Sequence, residues 1–155
     1  MTTDLASGLS AAEINELRVL SEAMIPADTE LGMPAADDPL IQSDVVRSIG
    51  RDLPLVRKAL ASVVAKAGGS LAALSREGRE TLINEWYAGG GAPTATLGRL
   101  ILSAYYRDDR VLVAIGHEAR SPFPKGYEVE QGDWSLLEAV RHRQPLWRDD
   151  RAGER

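Results

Sequence analysis

The chain has 155 residues, with 18 Lys and Arg against 23 Asp and Glu and a formal charge of −5, and its length suits one self-supporting domain. It contains no cysteine, which excludes disulfides, thiolate metal sites and a cysteine nucleophile, and its acidic balance argues against a nucleic-acid partner. No apolar run approaches the roughly 18 residues that a membrane-spanning helix needs, so we expect no membrane span. Because no secretory or twin-arginine signal is visible, we expect a cytoplasmic location, or a periplasmic one if a leader has been removed.

The first helix has its own start signal. Ser10 and Glu13 have the spacing of a capping box and predict a helix over 11–24, which Pro26 ends because it lacks a backbone donor. The following segment, 25–38, is rich in Pro, Gly and Asp, and connections of this length are more often functional than short ones. The residues of the first helix expected to face inwards are Ile14, Leu17, Leu20 (or Ser21) and Met24.

Two more helices are predicted between Asp38 and Gly69. Asp38 followed by Pro39 is typical of an N-cap and a first helical position, and predicts a helix that ends near residue 50. Asp52 is the expected cap of the third helix, which Gly68 and Gly69 close. The expected inward residues are Leu40, Ile41, Val45, Val46 and Ile49 in the second helix, and Val56, Leu60, Val63, Val64 and Ala67 in the third.

The second half of the chain begins with helices and then changes character. Ser75 is the expected cap of a fourth helix, which carries Leu82, Ile83 and Trp86 and ends at the glycines 89–91. Thr94 or Thr96 is the expected start of a fifth helix. A short sixth helix is expected over 110–115. Residues 120–127 contain Pro122, Pro124 and Gly126 and cannot propagate a helix. The spacing of Ser135 and Glu138 predicts a last helix, ended by Pro145.

These elements predict an all-α fold. We expect one compact domain over 1–155, with six or seven helices and an irregular C-terminal segment rich in Pro and aromatic residues. Residues 1–9 and 148–155 are expected to be mobile, and 117–134 to form an irregular segment that binds a partner.

Candidate chemistry within the chain is sparse. Carboxylates cluster in 25–38, but without the spacing of a calcium-binding loop, so helix capping and solvation are favoured over cation binding. His117 and His142 lack partners at metal-ligand spacing, and no nucleotide fingerprint is present. We therefore expect no metal, cofactor or catalytic residue in this chain.

Aromatic residues are unevenly distributed. Of the eight, four follow residue 120: Phe123, Tyr127, Trp134 and Trp147. Large aromatic side chains on irregular backbone either fold back onto the helices or anchor a partner, since Trp, Tyr and Arg are enriched at binding hot spots. Both interpretations remain open on these residues alone.

Three segments carry a resemblance to a known family. They are Ala23-Met24-Ile25-Pro26-Ala27-Asp28 with Gly32, Pro34, Ala36 and Asp37; Tyr105-Tyr106 through Arg110 to Ile115-Gly116; and Pro122-Phe123-Pro124-Lys125-Gly126-Tyr127 with Leu136-Leu137 and Trp147-Arg148. In this order and spacing the chain resembles the gluconate 2-dehydrogenase subunit 3 family, the small subunits of FAD-dependent dehydrogenases of the glucose-methanol-choline (GMC) type.

The resemblance implies a non-catalytic subunit that wraps and stabilises a large flavoprotein. That partner would carry the FAD and the histidine base, and would oxidise a CH–OH group of a sugar, glycoside or other alcohol. Many family members have a twin-arginine leader, which is not visible here, so a cytoplasmic complex is the expectation.

We expect the partner interface to comprise Pro26, Asp28, Met33, Pro34, Asp37, Pro122, Phe123, Pro124, Gly126, Tyr127, Trp134 and Trp147. Two other functions remain as alternatives. One is a flavin-independent helical adaptor or regulator. The other is a small stand-alone enzyme, which would need a polar pocket near Asp28, His117 and Glu118.

Overall fold

The computed structural model describes residues 8–120, 130–144 and 146. The chain divides into two compact units, 1–120 and 121–155. Across the described ranges the regular structure is helical, with seven α-helices and three short 3₁₀ segments, so the all-α prediction is confirmed. None of the helices in these ranges combines the length and apolar character needed to cross a bilayer.

Helix α1 spans Ala11–Met24 and has the predicted capping box. The Ser10 hydroxyl accepts from the Glu13 amide at 3.2 Å, and the Ser10 amide donates to the Glu13 carboxylate at 2.7 Å. Leu17 and Leu20 are buried as expected, together with Val19 and Ser21. The expectation for Ile14 is wrong, because it lies one turn before the packed part of the helix and is exposed.

Helix α2 spans Pro39–Ser48 and α3 spans Leu53–Lys66, with a 3₁₀ turn at Gly50–Asp52 between them. Asp38 caps α2 as predicted by accepting from the Leu40 amide at 2.9 Å. The Asp52 side chain does not cap α3; it accepts from Arg99 at 2.8 Å instead. The expectation for Leu40 is also wrong, because its position on the first turn of α2 leaves it 69% exposed.

Helix α4 spans Arg76–Ala88 and α5 spans Ala92–Tyr105. Ser75 caps α4 as predicted by accepting from the Gly78 amide at 3.1 Å. The start predicted for α5 is wrong, since the helix begins directly after Gly91, whose φ of 100° makes the turn, and Pro93 occupies its first turn. Thr94, one of the two expected caps, is instead buried.

Helix α6 spans Asp109–Ala114, and Asp108 caps it by accepting from the Arg110 amide at 2.9 Å. In the second unit, a 3₁₀ turn at Trp134–Leu137 precedes α7, Glu138–Arg141. The predicted Ser135 cap is wrong: Asp133 is the residue that accepts from the Ser135 amide, at 3.0 Å, so the turn begins earlier. Pro145 lies outside the described residues.

Helix α3 is the centre of the first unit, where it contacts α1, α4 and α5, and α2 packs on α5. Burial of these apolar faces supplies the main stabilisation of the fold. Leu9 packs on the same core, and the Gly8 carbonyl accepts from Arg57, so the described residues before α1 are attached to the helices. The side chains at the centre of the core are Leu17, Leu20, Ile41, Val45, Ile49, Val56, Leu60, Val63, Leu97, Ile101 and Tyr105.

Candidate partner-binding surface

The segment 26–38, called here the α1–α2 loop, has hydrogen bonds of its own. Asp28 and Met33 form an antiparallel bridge in which each amide donates to the other's carbonyl, at 3.0 and 2.8 Å. The Asp28 carboxylate accepts from the Glu30 and Leu31 amides, both at 3.0 Å. Gly32 closes the turn at a φ of 65°, a conformation that costs a glycine little. The tip of the loop is therefore held in one shape by its backbone.

The base of the loop is attached to the helices on either side. The Ala36 amide donates to the Ile25 carbonyl at 2.9 Å, and the Gln42 side-chain amide donates to the Ala36 carbonyl at 2.8 Å. Ala36 is fully buried, and Met33 packs partly against the core. The loop is thus an extension of the packed domain.

Tyr105, at the end of α5, connects the loop to the core. Its hydroxyl donates to the Pro34 carbonyl at 3.0 Å, across 71 positions of sequence, and the residue is almost fully buried. Burial raises the pKa of the Tyr105 hydroxyl above its usual value, so the shift favours the protonated form that donates. The ring of Tyr106 stands edge-on to that of Tyr105, with centroids 5.4 Å apart. Two segments that carry the family resemblance are therefore in direct contact.

Arg110 makes a second connection, called here the arginine clasp, to the end of the α1–α2 loop. Its guanidinium donates two hydrogen bonds of 2.9 Å to Asp38 and two of 2.9 Å to Asp108. The two carboxylates are also the N-caps of α2 and α6. Hydrogen bonds from Arg110 lower the pKa of both carboxyls, and the same bonds raise the pKa of Arg110. The clasp thus fixes the start of α2 against the start of α6.

The predicted interface residues of the loop have distinct positions. Pro26 and Asp28 are exposed, whereas Met33, Pro34 and Asp37 are partly buried. The carboxylate of Asp37 pairs with Arg18 of α1 at 3.3 Å. Three of the five residues are therefore tied to the fold, and the outward surface of the loop comes from other side chains as well.

Two exposed apolar side chains, one in this loop and one just after it, were not among the predicted interface residues, and only Leu40 had been expected to face inwards. Leu31 at the loop tip is 61% exposed, and Leu40 lies two residues after the Asp38 cap. The sequence offered a signal for Leu31, an apolar residue in a polar turn. For Leu40 the helical periodicity wrongly predicted burial.

The C-terminal interface residues are mostly beyond what the structure covers. Trp134 is described, in the second unit, where it starts a 3₁₀ turn and is 65% exposed. Pro122, Phe123, Pro124, Gly126, Tyr127 and Trp147 lie outside the described residues.

The residues considered for the stand-alone enzyme are all at the surface. Asp28, His117 and Glu118 are exposed, and Glu118 pairs with Arg120. Within the described ranges, no group of three His, Cys, Asp or Glu residues is arranged to hold a metal ion.

A groove of about 640 Å³ lies beside the start of the loop, where the end of α1 meets α4 and α5. Its walls are mainly apolar, from Met24, Pro26, Ile83 and Leu102, and the ring of Tyr87 also lines it. Pro26 belongs to both the loop and the groove, so the two features form adjoining surfaces of the first unit.

Comparison with family models, curated proteins and solved structures found no match to this chain.

Proposed function

We propose that this chain is a non-catalytic small subunit that binds and stabilises a large FAD-dependent oxidoreductase of the GMC type. The partner oxidises a CH–OH group of a sugar, glycoside or other alcohol, and its FAD accepts the hydride. In this proposal the chain itself holds no cofactor and contributes a cytoplasmic protein-binding surface.

One observation carries the proposal beyond the sequence motifs. The two resembling segments are joined by the Tyr105 hydrogen bond to Pro34, and the arginine clasp binds Arg110 to Asp38, the residue that follows the first segment. Residues on which the resemblance rests, far apart in sequence, thus hold the α1–α2 loop against the end of α5. A loop held in this way loses little conformational entropy on binding, which favours its use in a stable complex.

The exposed side chains of this surface suit an interface. Pro26, Leu31 and Leu40 present apolar area, and the arginine clasp beside them is already satisfied internally. Removing apolar surface from water contributes about 25 cal/mol per Å², so covering these side chains with a partner would favour association. The sequence-based prediction adds Trp134, Trp147 and residues of 122–127 as further contacts to the partner.

The test begins with a tagged copy of the chain purified from its native host. We expect a co-eluting partner of GMC-subunit mass with the visible absorption spectrum of a bound flavin. The combined substitution Leu31→Asp and Leu40→Asp should reduce the amount of co-eluting flavoprotein, since it places charge in the apolar surface. Ala61→Asp, which adds one such charge on the exposed side of α3, is the matched control for each of the two single substitutions and should leave the yield unchanged.

A second test addresses the C-terminal interface residues, with Phe123→Ala and Trp147→Ala combined. We expect this variant also to lose flavoprotein. A colourless, folded monomer, even when candidate large subunits are co-expressed, would overturn the proposal and favour the flavin-independent adaptor. Turnover of an alcohol by the isolated chain would favour the stand-alone enzyme.

A further inference from the structure

Arg79 of α4 has a buried donor without a protein partner. Its side chain reaches α1, where Nη1 donates to the Glu22 carboxylate at 3.1 Å, across 57 positions of sequence. The Nε atom of the same guanidinium is buried and makes no hydrogen bond with the described residues. A buried N–H group left unpaired is costly, and in native proteins nearly all such groups are paired with protein or with ordered water. The position of Nε therefore calls for a further acceptor beside Arg79.

Arg79 also lines a small cavity between α1 and α4. The volume of this cavity is about 10 Å³. A space of this size is close to the minimum for one water molecule, so it excludes phosphate, carboxylate and larger organic ligands. Its lining residues come from the last turn of α1, the start of the α1–α2 loop and the first two turns of α4: Glu22, Ala23, Pro26, Arg76, Arg79 and Glu80.

The charges around the cavity balance, since two arginines and two glutamates line it. Glu22 pairs with Arg79, and Arg76 pairs with Glu80 at 3.2 Å. An ion in the cavity would add a buried charge to pairs that are already neutral, which is costly, so a neutral ligand fits better. Each glutamate uses one carboxylate oxygen in its pair. The second oxygen of each is an acceptor that can receive a hydrogen bond from the ligand.

We propose that this cavity binds one structural water molecule. The water accepts a hydrogen bond from Arg79 Nε and donates to the second carboxylate oxygens of Glu22 and Glu80. Three hydrogen bonds are typical of a buried water, and the three side chains that supply them line the same cavity. The water joins the Glu22–Arg79 pair to the Arg76–Glu80 pair, so one network connects α1 with α4. This inference is independent of the proposed function.

The first test is a crystal structure of the full chain at a resolution that shows ordered water. We expect one density peak in the cavity, about 2.7–3.2 Å from Arg79 Nε and from at least one of the two carboxylates. In solution, the Arg79 Nε proton should show a nuclear Overhauser effect to water with the sign of a long-lived bound molecule. A cavity without density among well-ordered side chains, or a direct hydrogen bond from Nε to a protein acceptor, would overturn the proposal.

Arg79→Met provides a second test, because it keeps the apolar part of the side chain and removes every donor. Magnetic relaxation dispersion, which counts water molecules with long residence times, should report one fewer in this variant than in wild type. Arg18→Met is the matched control. Arg18 also extends from α1 to a carboxylate, that of Asp37, but it does not line the cavity, so the count should not change.

Circular dichroism establishes whether both variants are folded. An equal count of long-lived water molecules in wild type and in folded Arg79→Met would contradict the assignment of the water to Arg79. If Arg79→Met does not fold, the density and the Nε proton of the wild-type chain still decide the proposal.

Discussion

The hydrogen bond from Tyr105 to Pro34 can be removed with little other change. Tyr105→Phe keeps the buried ring and deletes the hydroxyl that donates to the Pro34 carbonyl at 3.0 Å. A net hydrogen bond is worth about 0.5–1.5 kcal/mol, and an acceptor left buried without a donor costs about 1–3 kcal/mol. Because Pro34 is only partly buried, water can recover part of that loss. We expect the free energy of unfolding to fall by about 1–2 kcal/mol.

Tyr106→Phe is the matched control. The two tyrosines are adjacent and their rings touch, but the Tyr106 hydroxyl is half-exposed and makes no hydrogen bond within the described part of the chain. Its removal should change the stability by less than about 0.5 kcal/mol. Urea unfolding followed by circular dichroism gives the free energy of unfolding of each variant, compared at a common dependence on urea concentration. The expected difference in free energy corresponds to about 3–8 °C in Tm.

Hydrogen exchange shows whether the loss is transmitted to the loop. In Tyr105→Phe the amides of Met33 and Ala36, which are hydrogen-bonded within the α1–α2 loop, should exchange faster than in wild type. In Tyr106→Phe they should not change. Equal stability of the two variants, or unchanged exchange of these amides in Tyr105→Phe, would refute the role assigned to this hydrogen bond.

Two further predictions concern charge and the core. Arg110 lowers the pKa of Asp38 and Asp108 in the folded state. The clasp therefore stabilises the fold above the ordinary carboxyl pKa of 3.8, and this stabilisation is lost as the pH falls through the lower pKa values of the folded state. Arg110→Met should therefore cost about 1 kcal/mol at neutral pH, a modest figure because the side chain is partly exposed, and the difference from wild type should shrink in acid unfolding experiments. Leu17→Ala opens a cavity in the core and should cost about 2–5 kcal/mol in urea unfolding, whereas Leu40→Ala at the surface should cost less than about 0.5 kcal/mol.

Each of these two predictions has a result that would contradict it. A difference between wild type and Arg110→Met that stays constant down to pH 2.5 or so would show that Asp38 and Asp108 do not depend on the clasp for their ionisation. A comparable loss in Leu40→Ala and Leu17→Ala would place Leu40 in the core, against the structure.

Helix ends were predictable where a single local signal dominates. Ser10 with Glu13, and Asp38 with Pro39, satisfy or remove orphan amides within one turn, so their effect does not depend on the rest of the fold. Asp52 shows where such reasoning stops. Its side chain forms an ion pair with Arg99, 47 positions away in sequence, and therefore does not cap α3.

The presence of a distinctive loop after α1 was predictable, whereas the exposure of its side chains was less so. The length and composition of 25–38 indicated a special loop, and the structure shows a hydrogen-bonded one. Sequence reasoning placed Leu40 inside because a helical stripe contains it, yet at the first turn of α2 none of the described elements covers that position. The groove at Tyr87 had no sequence signal, since it depends on a missing Cβ at Gly98 in another helix.

Local signals were enough to predict a helical chain and most of its helix ends, because caps, prolines and glycines act through neighbours within about four residues. The hydrogen bond from Tyr105 to Pro34 and the binding of Asp38 by Arg110 became visible in the folded chain alone, since they join residues 71 and 72 positions apart. Those contacts depend on which helix faces pack together, and packing is decided by the burial of the whole apolar surface at once.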